Sequence, residues 1–138
     1  MSQEDVEVVR RLYDAVARRD PAAVLALYDP KVEIDLSRAS EWGDVTQRGI
    51  YRGHDGLRDM FRPWREAWDS LEDELEELVD AGDLVISVAT SRGRGRASGA
   101  EVELAHYAGL WSIRDGKVAR VVWFSTRHEA LEAAGLSE

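Results

Sequence analysis

LWSIRDGKVARVVWFS, residues 110–125, decides the fold. Two runs rich in aliphatic and aromatic residues flank Asp115-Gly116, and an Asp-Gly pair in that setting is a strong signal for a β-hairpin. Read outward from it, the same grammar repeats upstream. EVELAHYAGLWSI (101–113) forms the first arm, and the turn Ala97-Ser98-Gly99-Ala100 connects it to LVISVATSRGRGR (84–96). The turn Asp80-Ala81-Gly82-Asp83 then leads back to LEDELEELV (71–79). The leucines and glutamates of 71–79 would also suit a helix; the neighbouring turns and strands favour a strand with an acidic face. The result is a run of four antiparallel strands. The tail RHEALEAAGLSE reads as a short helix ended by Gly135.

The first half is mainly helical. Ser2 with Asp5 is an acidic variant of a capping box. Val6, Val9, Leu12, Tyr13 and Val16 form an apolar stripe at helical spacing. Asp20-Pro21 starts a second helix over about 21–28, and Asp29-Pro30 ends it. VEIDL (32–36) alternates as a short strand. Residues 37–52 show no period and read as a long loop, in which Arg38 and Trp42 are candidates for a lid. A third helix starts near Gly53, with Leu57, Met60, Phe61, Trp64 and Trp68 on its apolar face; Pro63 predicts a kink or a restart inside it. Helices gathered against an antiparallel sheet make an α+β domain.

Composition removes several function classes. A length of 138 residues suits one domain, 1–138, with a core of its own. The chain has no cysteine, which excludes disulfides, thiolate metal sites and thiol nucleophiles. The net charge of −9 repels nucleic acid, and the RGRGR stretch at 92–96 reads as a solvated strand end. No apolar run reaches membrane-spanning length, and the N-terminus lacks the layout of a secretory signal, so a cytoplasmic protein is expected. His54, His106 and His128 fall on three elements without ligand spacing, so no metal and no cofactor is expected. Gly53-His54-Asp55-Gly56 lacks a phosphate-loop signature.

Four stretches together carry a family likeness: VVRRLYDAVARRDPAAVLALYDPKVEIDL, YRGHDGLRDMFRPWREAW, the acidic strand ending in DAGD, and LWSIRDGKVARVVWFS. Over nearly its whole length the chain resembles the SnoaL-like proteins of the nuclear transport factor 2-like superfamily, which includes ketosteroid isomerases and polyketide cyclases. The resemblance implies a cone: a curved sheet wrapped around a pocket, closed by the N-terminal helices, with a homodimer formed through the convex sheet face. Laid beside the isomerases, the RDGK hairpin implies that Val121, Trp123 and Ser125 point inward. It implies the same for His106, Ala108, Leu110 and Ser112, with Tyr107, Gly109, Trp111 and Ile113 outward.

On that reading His106 is the titratable side chain on the pocket wall and a candidate general acid or base; the alternative is a histidine satisfied by a neighbouring tyrosine or carbonyl. The register that matches the family turns Ile34 inward, and a one-residue shift would bring in Asp35 as a base. The acidic oxyanion-hole position of the isomerases falls on Ala108, and the aspartate of the cyclases near the end of the last strand is replaced by Trp123-Phe124-Ser125, so neither machinery carries over intact. The expected function is binding of a small hydrophobic, ring-bearing metabolite by Tyr13, Ile34, Met60, Trp64, Trp68, Ala108, Leu110, Val121 and Trp123. The alternatives are an acid–base isomerase, cyclase or dehydratase using His106 with Asp35, and a dimeric assembly module with a filled pocket.

Overall fold

The computed structural model describes residues 2–38, 49–95 and 98–136. Helices α1 (Ser2–Ala17) and α2 (Pro21–Ala26) precede strand β1 (Tyr28–Asp35). Strand β2 (Ile50–Arg52) and helix α3 (Gly53–Ala67) follow, then β3 (Trp68–Asp80), β4 (Leu84–Gly95), β5 (Glu101–Arg114), β6 (Lys117–Phe124) and helix α4 (Arg127–Ala133). Asp20 caps α2, accepting from the Ala23 backbone N–H, with Pro21 at the first helical position. Thr126 caps α4 in the same manner.

Several boundaries differ from the sequence reading. The first strand starts at Tyr28, four residues before the expected Val32, and takes in Asp29-Pro30. Proline is tolerated there because Tyr28 pairs with Val118 and the ladder is interrupted before it resumes at Glu33. Part of the expected loop, Ile50–Arg52, is a strand on the sheet edge. Helix α3 runs through Pro63 as one element, and Trp68 begins β3 instead of ending the helix. Trp42 lies outside the described residues, as do the side chains of Trp64 and Trp68.

The sheet is curved and open, in the order β2-β1-β6-β5-β4-β3, and antiparallel except for the parallel pair β1–β6. Its curvature has a local cause. The pairing slips by one residue at Glu76 in β3, at Leu104 in β5 and at Ala119 in β6, and each such bulge bends and twists the strand that carries it.

Two cores lie on opposite faces. The inner core joins Val8, Val9 and Leu12 of α1 and Leu57 and Met60 of α3 to Val32, Ile34, Val85, Ala89, Tyr107, Trp111, Val118, Val121 and Trp123 of the sheet. The outer core is smaller: Ile86, Ala108, Leu110, Val122 and Phe124 under Ala130 and Leu131 of α4. Helix α4 thus covers part of the face on which the resemblance placed subunit pairing. Arg127 holds it there through two hydrogen bonds to Glu77, from Nε to Oε1 at 2.7 Å and from Nη2 to Oε2 at 3.2 Å.

Candidate functional site

Strand β5 decides which groups the inner face presents. The hairpin closes on a two-residue turn with positive φ at Asp115 (53°) and Gly116 (76°), and Arg114 pairs with Lys117. Uninterrupted pairing from that turn would set Leu110 opposite Val121. Instead Ala119 bulges out, so that Trp111 faces Val121 and Gly109 faces Trp123. Residues directly opposed across an antiparallel pair share a face, so this single slip inverts β5 relative to expectation. Val121 and Trp123 point inward as expected, and Tyr107, Gly109 and Trp111 join them.

His106, Ala108 and Leu110 are therefore on the outer face, which corrects the inward placement. Ala108 and Leu110 pack in the core beneath α4. The His106 side chain is 61% exposed. Thr90 Oγ1 donates its one proton to Glu76 at 2.8 Å and accepts from His106 Nδ1 at 2.9 Å. Glu103 lies 3.9 Å from Nε2, and Arg92 pairs with Glu74 nearby. Asp35 also faces outward, opposite Val122, where it is a strand-end brace: its carboxylate accepts from the Ser37 N–H at 2.8 Å and the Ser37 hydroxyl at 2.6 Å. Arg38 is exposed. Ile34, Met60 and Tyr13 belong to the inner core or pack against it, as expected.

What the inner face brings together is a chain of polar groups in an aromatic nest. The inner row of β4 is small: Ser87, Ala89 and Ser91 follow Val85. Small groups there leave space for rings from the neighbouring strands. Trp111 and Trp123 meet edge to face with centroids 5.1 Å apart, and Tyr107 and Trp123 meet in the same way at 5.0 Å. Tyr13 and Tyr28 flank Trp111 at 6.2 and 6.5 Å. Through this nest, Trp111 Nε1 donates to Ser87 Oγ at 2.8 Å, and Ser87 Oγ lies 3.0 Å from the Tyr13 hydroxyl. Beside it lies the carboxyl of Asp73 on β3, whose charged form Ser91 and Tyr107 favour.

Asp73 sits opposite Ser91 in the β3–β4 ladder, in the same inward row as Leu75, which faces Ala89. Its side chain keeps partial access to solvent, yet the surrounding protein removes enough water to disfavour its charge. Burial raises its pKa above the ordinary carboxylate range, and the Ser91 and Tyr107 hydrogen bonds partly offset that rise. Burial also raises Tyr13, Tyr28 and Tyr107, so all three stay neutral at physiological pH. In this nest Asp73 is thus the group able to change its charge, and the tyrosines are fixed as neutral donors and acceptors.

Sequence reasoning passed over Asp73 by treating 71–79 as one acidic face. The parity holds the signal: Asp73 alternates with Leu71 and Leu75, whereas Glu72 and Glu74 alternate with them on the other side. Among the described residues, no group of three His, Cys, Asp or Glu side chains could hold a metal ion, and no helix is long and apolar enough to cross a membrane.

The sequence profile of the SnoaL-like domain matches residues 9–121. Among solved structures, TerC co-crystallised with polyporic acid aligns with a TM-score of 0.75 at 20% identity, covering 96% of this chain and 98% of the other. An NTF2-like protein from Burkholderia thailandensis is 29% identical with a TM-score of 0.68, over 96% and 97% of the two chains. A protein with a ketosteroid isomerase-like fold from Catenulispora acidiphila, in complex with trimethylamine, gives a TM-score of 0.65 at 15% identity over 95% and 94%. No curated protein matches the chain.

Proposed function

The chain belongs to the SnoaL-like domain family, and from that premise we propose that it binds a small, hydrophobic, ring-bearing compound on the inner face of its sheet and moves a proton beside a carbonyl at Asp73. The observation that carries this reading is the place of Asp73 in the inner row of β3, opposite Ser91, desolvated yet within reach of solvent. A carboxyl whose pKa is raised is a stronger base once ionised, which suits proton transfer at carbon. Trp111, Trp123 and Tyr107 make the inner core beside it aromatic, which suits a ring-bearing compound. That a neighbour of the same fold was crystallised with polyporic acid supports a small organic ligand.

In this reading Asp73 takes the proton from the carbon next to the carbonyl. The electron pair moves onto the carbonyl oxygen, and the proton returns from Asp73 at the same or a neighbouring carbon. His106 takes no part, since it lies on the other side of the sheet.

Deuterium exchange at the α-carbons of 2-tetralone, followed by NMR, tests the proposal. Wild-type protein is expected to speed the exchange, and Asp73→Asn to reduce that acceleration by about 10²-fold or more. His106→Ala should leave it unchanged. Full activity in Asp73→Asn, or its loss in His106→Ala, would overturn the assignment.

A further inference from the structure

The outer face of the sheet carries an apolar patch. Ile86 of β4, Ala108 and Leu110 of β5, and Val122 and Phe124 of β6 share that face. None of the five is more than 9% exposed, although a single chain supplies all of their cover. That cover is α4. Its seven residues bury two side chains, Ala130 and Leu131, against the patch, and Arg127 ties its first turn to Glu77 of β3. Among the described residues the exposed large apolar side chains are Ile50 and Leu136, and neither belongs to the patch.

A cover this small is easily lifted. A seven-residue helix is marginal in water on its own, so α4 is helical because it is docked. Two buried side chains and one partly exposed ion pair hold it, and elements with so few buried contacts open well below the free energy of global unfolding. Opening bares five apolar side chains together on three neighbouring strands, a surface that water penalises. No charged side chain lies among the five. A two-fold axis through the patch therefore sets apolar against apolar with no like charges opposed, and every copy of the chain brings the same surface.

We propose that α4 takes the place of a second subunit: docked on its own sheet it keeps the chain a monomer, and undocked it leaves the outer face to a second copy. The device is separate from the chemistry at Asp73, which lies on the inner face.

Light scattering after gel filtration of the full chain tests this, with docking followed by amide hydrogen exchange in α4. Wild type is expected to be a monomer with α4 protected. Ala130→Glu sets a charge on a fully buried contact. It should remove the protection of α4 and give a dimer that dissociates on dilution. Leu131→Ala is the milder variant and should strengthen self-association about tenfold or more over wild type. Adding Val122→Lys to either variant opposes like charges across the two-fold axis and should restore the monomer. A dimeric wild type, an undocked Ala130→Glu that stays monomeric, or a Leu131→Ala that associates no more than wild type would overturn the proposal. So would a dimer that Val122→Lys leaves intact. None of these outcomes bears on the 2-tetralone exchange, so the two proposals fail separately.

Discussion

At Asp73 burial and hydrogen bonding pull in opposite directions, and burial is the larger effect. The folded chain therefore holds a proton at pH values where the unfolded chain has lost it. Below the unfolded value of about 3.9 the stability this contributes is fully present, and it is lost as pH rises through the higher folded value. Asp73→Asn is neutral throughout and escapes that loss. Urea denaturation at pH 4 and pH 8 should show the variant gaining stability relative to wild type at the higher pH; a difference that does not change with pH would contradict the account. Such a cost inside an aromatic nest accords with the proposed role of Asp73. His106 shows the reverse: partnered with Thr90 and open to water, it has the surroundings of a surface residue. The sequence could not separate these two residues by type, because both are titratable and both lie on alternating strands. Only the facing of β3 and β5 separates them. For β3 that facing was legible in the parity of Leu71, Asp73 and Leu75. For β5 it was not.

At the scale of elements, the reason is the bulge at Ala119. A two-residue Asp-Gly turn announces a hairpin, and its ideal register puts His106 inside. One unpaired residue in the next strand reverses the assignment, and a lone alanine in a strand carries no mark of a bulge. Deleting Ala119 should restore the ideal register. It would then turn either Tyr107, Gly109 and Trp111, or Val121 and Trp123, away from the helices, at a cost of about 3–5 kcal/mol by thermal denaturation. A deletion variant as stable as wild type would show that the slip is not what orients β5. Helix α4 depends on a different bulge, since Glu77 directly follows the extra residue Glu76 in β3. The Arg127 hydrogen bonds and charge hold the Glu77 carboxyl below its usual range. The sign here is opposite to that of Asp73: the contribution is present above the unfolded value and lost as pH falls through the lower folded one. The pair is more than a third exposed, so water screens it. A double-mutant cycle in Glu77→Gln and Arg127→Ala is predicted to give a coupling of at most about 1 kcal/mol at pH 7, vanishing near pH 2. A coupling that survives acid would rule out an ionic clamp.

For the whole molecule, the order of elements and the α+β class followed from apolar periods and turn residues, because those signals are local. The division of the sheet into two faces did not, because it depends on where pairing slips, and slips are settled by packing between strands distant in sequence. Helices α1 and α3 on one side and α4 on the other leave each face with its own core, and the hydrogen bonds from Trp111 through Ser87 to Tyr13 lie on the side of the larger one, as does Asp73. The account stands on Asp73 being a desolvated carboxyl of that inner face. Its most direct test is the side-chain carboxyl-carbon chemical shift of Asp73 in the wild-type protein, followed by NMR from pH 3 to pH 9. The account predicts a midpoint clearly above the ordinary aspartate value of about 3.9; a midpoint at or below that value would contradict it.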